Sequence, residues 1–516
     1  MLFETSYRET EKLSSENITL KDRLDVSQER CHQLGTSLEK LQKSKQIMKA
    51  NYESKLAEKE AVIKELKNEL RHLHAIAGHD GTNTGIPTSQ TPIRKEKVIP
   101  NSRKATGKKR GGQVGHKQHV LESFAADEIT ECETHEITTE VCERCEGTDF
   151  SDTGERIFKD EHDVKVTVVK RRHEYIVYGC LTCGTFIHVP IENRLKEQNQ
   201  YGSTVQAIAV SLMNTGNVPI NKVRTILSGL TQGSLVLSEG YIAKLQCRAA
   251  KALQSFLAEL RGTLVQRRLI YWDDTVIKIN TARACLRFYG DEQIAYYTAH
   301  LHKDKKGLDK DHVLQCLTED TIVMHDHNKV NYNDDYCFQN IECNQHLQRD
   351  CQKNSDDSGH TWSTDLKTLV SETIKSRKDA IENKKEEFTD RQKKKFYKRL
   401  DKILKKADKE NSSDPNRYYT DNEAALIRRI CRYQDNYFAW VENFGLPTTD
   451  NLSERGLRCV KSHMKISGQF ISEETAGFYA AIKTYVETCR RNGINEIAAL
   501  IRLSEGKPYR VAEILG

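Results

Sequence analysis

The sequence predicts a multidomain α/β protein, and three observations lead there. A leucine-rich seam of helical period fills the amino-terminal segment. Two Cys-x-x-Cys pairs follow a basic stretch containing glycine and proline. Beyond them, strand-like apolar runs alternate with helical patterns, and acidic residues sit at the ends of some of these runs. At 516 residues the chain exceeds the size of a single core, so several domains are expected.

Hydrophobic residues at 37% and charged residues at 30%, with a mean hydropathy of −0.68, indicate a soluble protein with long polar helices. The net charge of +6 hides concentrated basic runs at GKKR, KRR and KKKFYKR that can neutralise phosphates. Solvated helix faces explain any one of these runs equally well. No apolar run reaches the roughly 18 residues of a membrane span. The start, MLFETSYRETEK, turns polar and acidic too early for a signal peptide. A cytosolic protein is expected, in which the 15 cysteines serve as thiols or metal ligands rather than as disulfides.

Residues 1–76 read as a coiled coil. Leu20, Leu24, Cys31, Leu34, Leu38, Leu41, Met48 and Tyr52 mark the seam, with Ser27 and Lys45 as polar interruptions. After a stutter-like shift it resumes at Leu56, Ile63, Leu66, Leu70 and Leu73. A lone helix would leave this seam wet, so pairing with a second copy is expected, against the alternative of packing onto the same chain.

In residues 77–120 the periodicity disappears and Gly, Pro, Ser, Thr and basic residues take over. This is a linker or arm whose Lys108, Lys109 and Arg110 are suited to a DNA backbone, or else a plain spacer.

Residues 121–195 hold the strongest local signal. Cys142 and Cys145 form one knuckle and Cys180 and Cys183 a second, separated by 34 residues that include the alternating run HDVKVTVVKRRHEYIVYG. Four thiolates from two knuckles make a closed tetrahedral zinc site, and a β-hairpin between them accommodates the long gap. Cys132 and His135 lie near enough in sequence to be alternative ligands. Residues 196–265 are helical in pattern, either a DNA-contacting domain or plain packing.

The core follows in residues 266–327 and 446–485. LIYWDDTVIKI, ARACLRFYG and IAYYTAHLH read as strands, DKDHVLQCL as a helix, and TIVMHD as a fourth strand. Three strands, a helix and a fourth strand is the order of a ribonuclease-H-like sheet. Its first strand carries Asp273, its fourth ends in Asp326, and Glu454 lies one turn into a later helix whose start is marked by Pro447, Thr448, Thr449 and Asp450. Residues 328–445 read as a mostly helical insertion, and 486–516 as a carboxy-terminal tail. Two strand aspartates and a helix glutamate can hold two divalent ions for phosphoryl transfer, since magnesium prefers hard oxygen ligands. Among 74 acidic residues such triples are common, and spacing alone does not single this one out.

Five segments in order change that balance. GKKRGGQVGHK, the cysteine knuckles, HDHNKVNY around Asp326, ECNQHLQRD around His346 and TDNLSERGLRCVKSHMKISGQF around Glu454 resemble the transposases of the insertion sequence 66 family, through nearly the whole chain. The resemblance implies DDE chemistry with Asp273, Asp326 and Glu454 as catalytic residues and ligands of magnesium or manganese, and structural zinc on Cys142, Cys145, Cys180 and Cys183. Where the family pattern reads Asp-Glu-Thr, this chain has Asp273, Asp274 and Thr275, so Asp274 competes for the first role. Neighbours on a strand point to opposite faces, hence only one can join the cluster. Asp450 stands where the family commonly has asparagine, and it adds negative charge.

His346, Arg349, Arg455, Arg458, Lys461 and Lys465 belong to the same motifs and are candidate DNA contacts. A simple Arg–Glu helix pair is the alternative for Arg458. The implied protein is a nucleoid-associated bacterial transposase that binds its element's terminal repeats, cuts 3′ ends and joins them to target double-stranded DNA. It would work as a homodimer or higher oligomer, with small companion proteins of the same element. A non-catalytic DNA-binding protein and a ribonuclease-H-like nuclease or resolvase that hydrolyses without joining are the alternatives.

Overall fold

A computed structural model describes residues 2–78, 121–138, 140–414 and 417–516. The chain is mixed α/β, mostly helical with one mixed sheet. None of its described helices is long and apolar enough to cross a membrane.

Helix α1 (Leu2–Gly78) is continuous and runs through the stutter-like shift of the seam. Leu24, Leu34, Leu38, Leu41, Tyr52 and Leu56 are each more than half exposed along it. The basic arm, with Lys108, Lys109 and Arg110, lies outside the described residues.

Among the described residues between Leu121 and Gln200, regular structure is confined to β1 (Tyr178–Gly179) paired antiparallel with β2 (Phe186–Ile187). The hairpin expected across HDVKVTVVKRRHEYIVYG is therefore corrected to its last two residues. Alternation is only a local preference, and a strand also needs a partner ladder and a surface to cover. Here Val164, Val169 and Ile176 stay exposed, with no apolar layer beneath them.

Helices α2 (Ser203–Asn214), α3 (Ile220–Leu230), α4 (Glu239–Ala252) and α5 (Gln254–Leu264) come next. The Ser238 hydroxyl caps α4 by accepting from the Tyr241 N–H at 3.2 Å. Their apolar faces, including Val210, Val223, Ile242, Leu260 and Leu264, share one core with Ile270 and Trp272 of the sheet.

That sheet comprises β3 (Leu269–Ile279), β4 (Ala282–Gly290), β5 (Ala295–His300), β6 (Ile322–His325) and β7 (Gln339–Glu342), in the order β5-β4-β3-β6-β7. The first three strands are antiparallel, whereas β6 runs parallel to β3 and β7 parallel to β6. Two expectations are corrected. The helix through DKDHVLQCL is instead the short α6 (Lys305–Asp309) and a 3₁₀ turn at Leu314–Cys316, because His312 takes a left-handed φ of 51° that an α-helix cannot contain. The sheet expected with four strands has a fifth, β7, inside the stretch read as a mostly helical insertion.

The remaining helices are α7 (Asn344–Ser358), α8 (Trp362–Glu382), α9 (Asp390–Ser413), α10 (Arg417–Arg432), α11 (Gln434–Glu442), α12 (Asn451–Ser467), α13 (Glu473–Arg491), α14 (Glu496–Ser504) and α15 (Val511–Leu515). Ser472 and Thr475 form a capping box that starts α13. Its Thr484 and Thr488 hydroxyls accept from the N–H groups of Tyr297 and Ala295 at 2.9 and 3.2 Å, docking the helix on β5. The segment read as a tail is built into the main core through Val486, Cys489, Leu500, Leu503 and Ile514.

Two compact units result. One comprises 1–98, 350–367 and 400–429, and the other comprises 99–349, 368–399 and 430–516. Within the first, buried Glu423 gathers Trp362 Nε1 at 2.6 Å, Asn354 Nδ2 at 2.7 Å, Asn411 Nδ2 at 2.9 Å and His360 Nδ1 at 2.9 Å. A buried carboxylate with that many partners is satisfied, and it ties together the helices of the insertion that lie in this unit.

In the second unit α12 lies on the sheet through Leu457 and Val460, against Ile277, Leu286 and Phe288. His463 completes the seat, stacked between Phe470 and Tyr479 at ring separations of 4.7 and 4.8 Å. Burial pushes its pKa down to about 4. The unfolded chain, at an ordinary value near 6.5, takes up a proton that the folded chain refuses, so stability is complete above pH 6.5 and declines as pH falls towards 4. Urea unfolding should find about 2 kcal/mol lost over that window through this group. His463→Gln should flatten the loss, and an unchanged pH profile would exclude the assignment.

Candidate functional site

Sheet register brings the first two aspartates together. Tyr271 of β3 pairs with Met324 of β6 as the last couple of their parallel ladder. Asp273 lies two residues further along β3, and Asp326 follows directly on the end of β6, so the register brings both aspartates to the same end of the two strands. Asp274, on the opposite face, is bound to Lys303 Nζ at 2.6 Å. Desolvation, then the charges of Asp274 and Asp326, push the Asp273 carboxyl up to about 7, although its neighbour's backbone N–H and Lys461 act the other way.

Glu454 reaches this point from a distant part of the chain. The start of α12 is pinned to the β7–α7 junction. There the Asp450 N–H donates to Cys343 Sγ at 3.2 Å and the Asn344 N–H to the Thr448 carbonyl at 3.0 Å. The same junction launches α7, whose His346 and Arg349 lie one turn apart on one face. His346 stands between two carboxylates, with Nδ1 at 3.8 Å from Asp326 Oδ1 and Nε2 at 3.5 Å from Glu454 Oε1. Arg349 donates to the same Glu454 oxygen at 3.3 Å.

Three neighbours of Asp326 went unmarked in the sequence. The His327 N–H donates to Asp326 Oδ1 at 2.6 Å. The His327 ring, through Nδ1, lies 2.7 Å from Glu342 Oε1, and the Tyr332 hydroxyl donates to that oxygen at 2.5 Å. Burial would raise the Glu342 carboxyl, but the bond with His327 and the charges of His325 and His327 hold it below the usual range. The only sequence signal for this support was the HDH triplet itself, because Glu342 is one acid among many.

Arg455, Arg458, Lys461 and Lys465 are all exposed on α12. Arg455 lines a cavity of about 520 Å³ with Glu292, Lys483, Glu487, Arg490 and Arg491.

The two cysteine pairs adopt the same turn. The Cys142 N–H donates to the Gly147 carbonyl and the Glu146 N–H to the Cys142 carbonyl. The Cys180 N–H donates likewise to Thr185, and the Gly184 N–H to Cys180. Glu146 and Gly184 occupy matching left-handed positions, at φ 60° and 74°. Backbone N–H groups aimed at the first sulfur of each turn lower its pKa, for Cys142 from Arg144 and Cys145, and for Cys180 from Cys183 and Thr182, to about 7. Such sulfurs are prepared as thiolates, the form that binds metal. Cys132 and His135 are exposed, and His135 lies 4.0 Å from Glu133.

Among the described residues no three His, Cys, Asp or Glu side chains close into a group tight enough to hold a metal ion, at either the carboxylates or the knuckles. The donor chemistry nevertheless suits each metal. Asp273, Asp326 and Glu454 offer hard carboxylate oxygens, the donors magnesium prefers, and the paired turns offer sulfurs, the donors zinc prefers.

A family model described as Transposase IS66 family matches residues 198–477, more than half of the chain. No curated protein matches it.

Proposed function

Because the chain belongs to the transposase IS66 family, we propose that it acts by DDE chemistry, binding its element's terminal repeats, cleaving 3′ ends and joining them to target DNA. The observation that carries this reading is the register that sets Asp273 beside Asp326, with Glu454 brought to them across His346. Three antiparallel strands flanked by two parallel ones, in the order β5-β4-β3-β6-β7, support a ribonuclease-H-like core under that site.

Asp273, Asp326 and Glu454 would hold two magnesium or manganese ions, which when bound activate the attacking oxygen and neutralise the leaving one. Asp274, tied to Lys303, is left outside the set. His346 and Arg349 orient Glu454, and the Arg349 guanidinium lends positive charge where a scissile phosphate approaches. Arg458, Lys461 and Lys465 extend a cationic edge along α12 suited to the DNA backbone, with Arg455 on its flank. Lys108, Lys109 and Arg110 belong to the same reading as an arm along DNA. Cys142, Cys145, Cys180 and Cys183 would hold a structural zinc, with 121–195 as its domain.

Labelled element-end DNA, a supercoiled plasmid and magnesium provide the test. Joined products support transposition, and cleavage without joining turns the reading to a nuclease. Binding without chemistry, even with companion proteins added, turns it to a DNA-binding protein.

The exposed seam of α1 supports a homodimer through a coiled coil. Leu34→Lys with Leu41→Lys forfeits roughly 2 kcal/mol of burial at each position. Light scattering should then report a monomer where the wild type is a dimer or larger. A wild-type monomer would remove the coiled coil from the proposal.

A further inference from the structure

One face of α13 carries Lys483, Glu487, Arg490 and Arg491, spaced at helical intervals. These side chains line the cavity of about 520 Å³ together with Arg455 of α12 and Glu292 of the β4–β5 turn. Four cations against two carboxylates leave the lining with an excess of two positive charges.

Pairing within the cavity does not remove that excess. Glu487 accepts from Lys483 Nζ at 2.8 Å and from Arg490 at 2.5 Å, so its single charge is divided between two partners. Arg491 donates to the main-chain carbonyls of Asp291 and Ile294 and lies over the Phe288 ring at 5.2 Å. Arg455 donates to the Asn451 carbonyl of its own helix at 3.3 Å. Among the described residues neither of these two arginines is in an ion pair. Thr215 also lines the cavity, and its hydroxyl is buried without a hydrogen-bond partner.

A self-contained Lys483–Glu487 pair, at i and i+4, accounts for two of these groups. It leaves the charges of Arg455 and Arg491 and the Thr215 hydroxyl unanswered, and an anion answers all three. Arginine forks and a lysine suit phosphate oxygens. A phosphomonoester carries about −1.5 to −2 charges at neutral pH, which matches the excess, whereas an internal phosphodiester brings a single charge and must leave the recess in both directions. The volume falls within the roughly 300–1,000 Å³ of small-ligand sites, with room for the sugar that bears the phosphate.

We propose that the cavity lined by α12 and α13 binds a phosphomonoester, carried on the 5′ end of a DNA strand or on a free phosphorylated compound. Arg455, Arg490 and Arg491 hold the phosphate oxygens, and Lys483 adds its charge from a buried position. The site stands whether or not the carboxylates bind metal ions.

The full-length protein is titrated, without magnesium, into a single-stranded oligonucleotide labelled at its 3′ end and either carrying or lacking a 5′-phosphate, and fluorescence anisotropy is read. The phosphorylated strand should bind roughly tenfold more tightly, and Arg455→Gln and Arg490→Gln should each bring that ratio towards one. Both side chains are exposed, so both variants should fold. Lys465→Gln, on α12 but off the lining, should weaken both strands alike and preserve the ratio. Calorimetry with adenosine 5′-monophosphate against adenosine reads the second source. Monophosphate binding that both arginine variants lose, with no preference between the strands, would assign the cavity to a free compound. A ratio of one with no monophosphate binding would overturn the proposal. So would a preference that survives in both arginine variants, or one that Lys465→Gln abolishes as fully as they do.

Discussion

Asp326→Asn is expected to depress the joining of element ends to target DNA by about three orders of magnitude, and Glu454→Gln by a similar factor. A metal-held carboxylate contributes several kcal/mol to the transition state, and each 1.4 kcal/mol or so is a factor of ten. Folding should be nearly unaffected. The Asp326 side chain is 47% exposed, and its Oδ1 accepts from the His327 N–H, a bond that an amide oxygen reproduces. Since the carboxylates act as one unit, the double variant should be little worse than either single one. Asp274→Asn provides the contrast. It breaks a pair with Lys303, itself 51% exposed, and should cost at most about 1 kcal/mol of stability and little activity. Single-turnover joining rates and melting curves on these four variants and on Asp273→Asn decide the matter. If Asp274→Asn is the dead variant and Asp273→Asn the tolerated one, the first carboxylate has been misassigned.

The second large effect is expected at the knuckles. Cys180→Ser, or a strong chelator, should release zinc and leave the segment 121–200 open to proteases while the sheet and its helices stay resistant. That segment exposes Ile157, Phe158, Val164 and Val169, and regular pairing within it is limited to β1 and β2. It therefore has little hydrophobic support of its own, whereas structural zinc sites contribute on the order of 10 kcal/mol to the folding of comparable small modules. Metal analysis should find stoichiometric zinc in the wild type and none in the variant. A zinc-free wild type that resists proteolysis over 121–200 would discard the site.

What could be read from the sequence followed physical range. β3, β4 and β5 are apolar runs of strand length, β3 with alternating burial over its second half, and α12 has its own period, so Asp273 and Glu454 could be placed on their elements in advance. β7 could not. Gln339–Glu342 has one aliphatic residue, Ile341, and its strand identity comes from pairing with β6. The reverse error fell on HDVKVTVVKRRHEYIVYG, where alternation was strong and the partner absent. The choice between Asp273 and Asp274 was likewise open from spacing, because it turns on the β3–β6 register and on Lys303, both remote in sequence. His346 and Arg349 were marked as DNA contacts, yet their nearest partners are the carboxylates, a relation that exists only once α7 and α12 share an anchorage. Asp450 was visible as a helix start. That its side chain makes no cap bond was not.

The long separation between Asp273 on β3 and Glu454 on α12 also sets a timetable. A ribosome adding roughly 5–20 residues per second exposes the first aspartate on the order of ten seconds or more before it supplies the glutamate. During that interval the nascent chain already carries its knuckles and helical segments but lacks a complete set of acids. Under the proposed chemistry such a chain cannot cut DNA, so the order of synthesis itself withholds cleavage until α12 has been made.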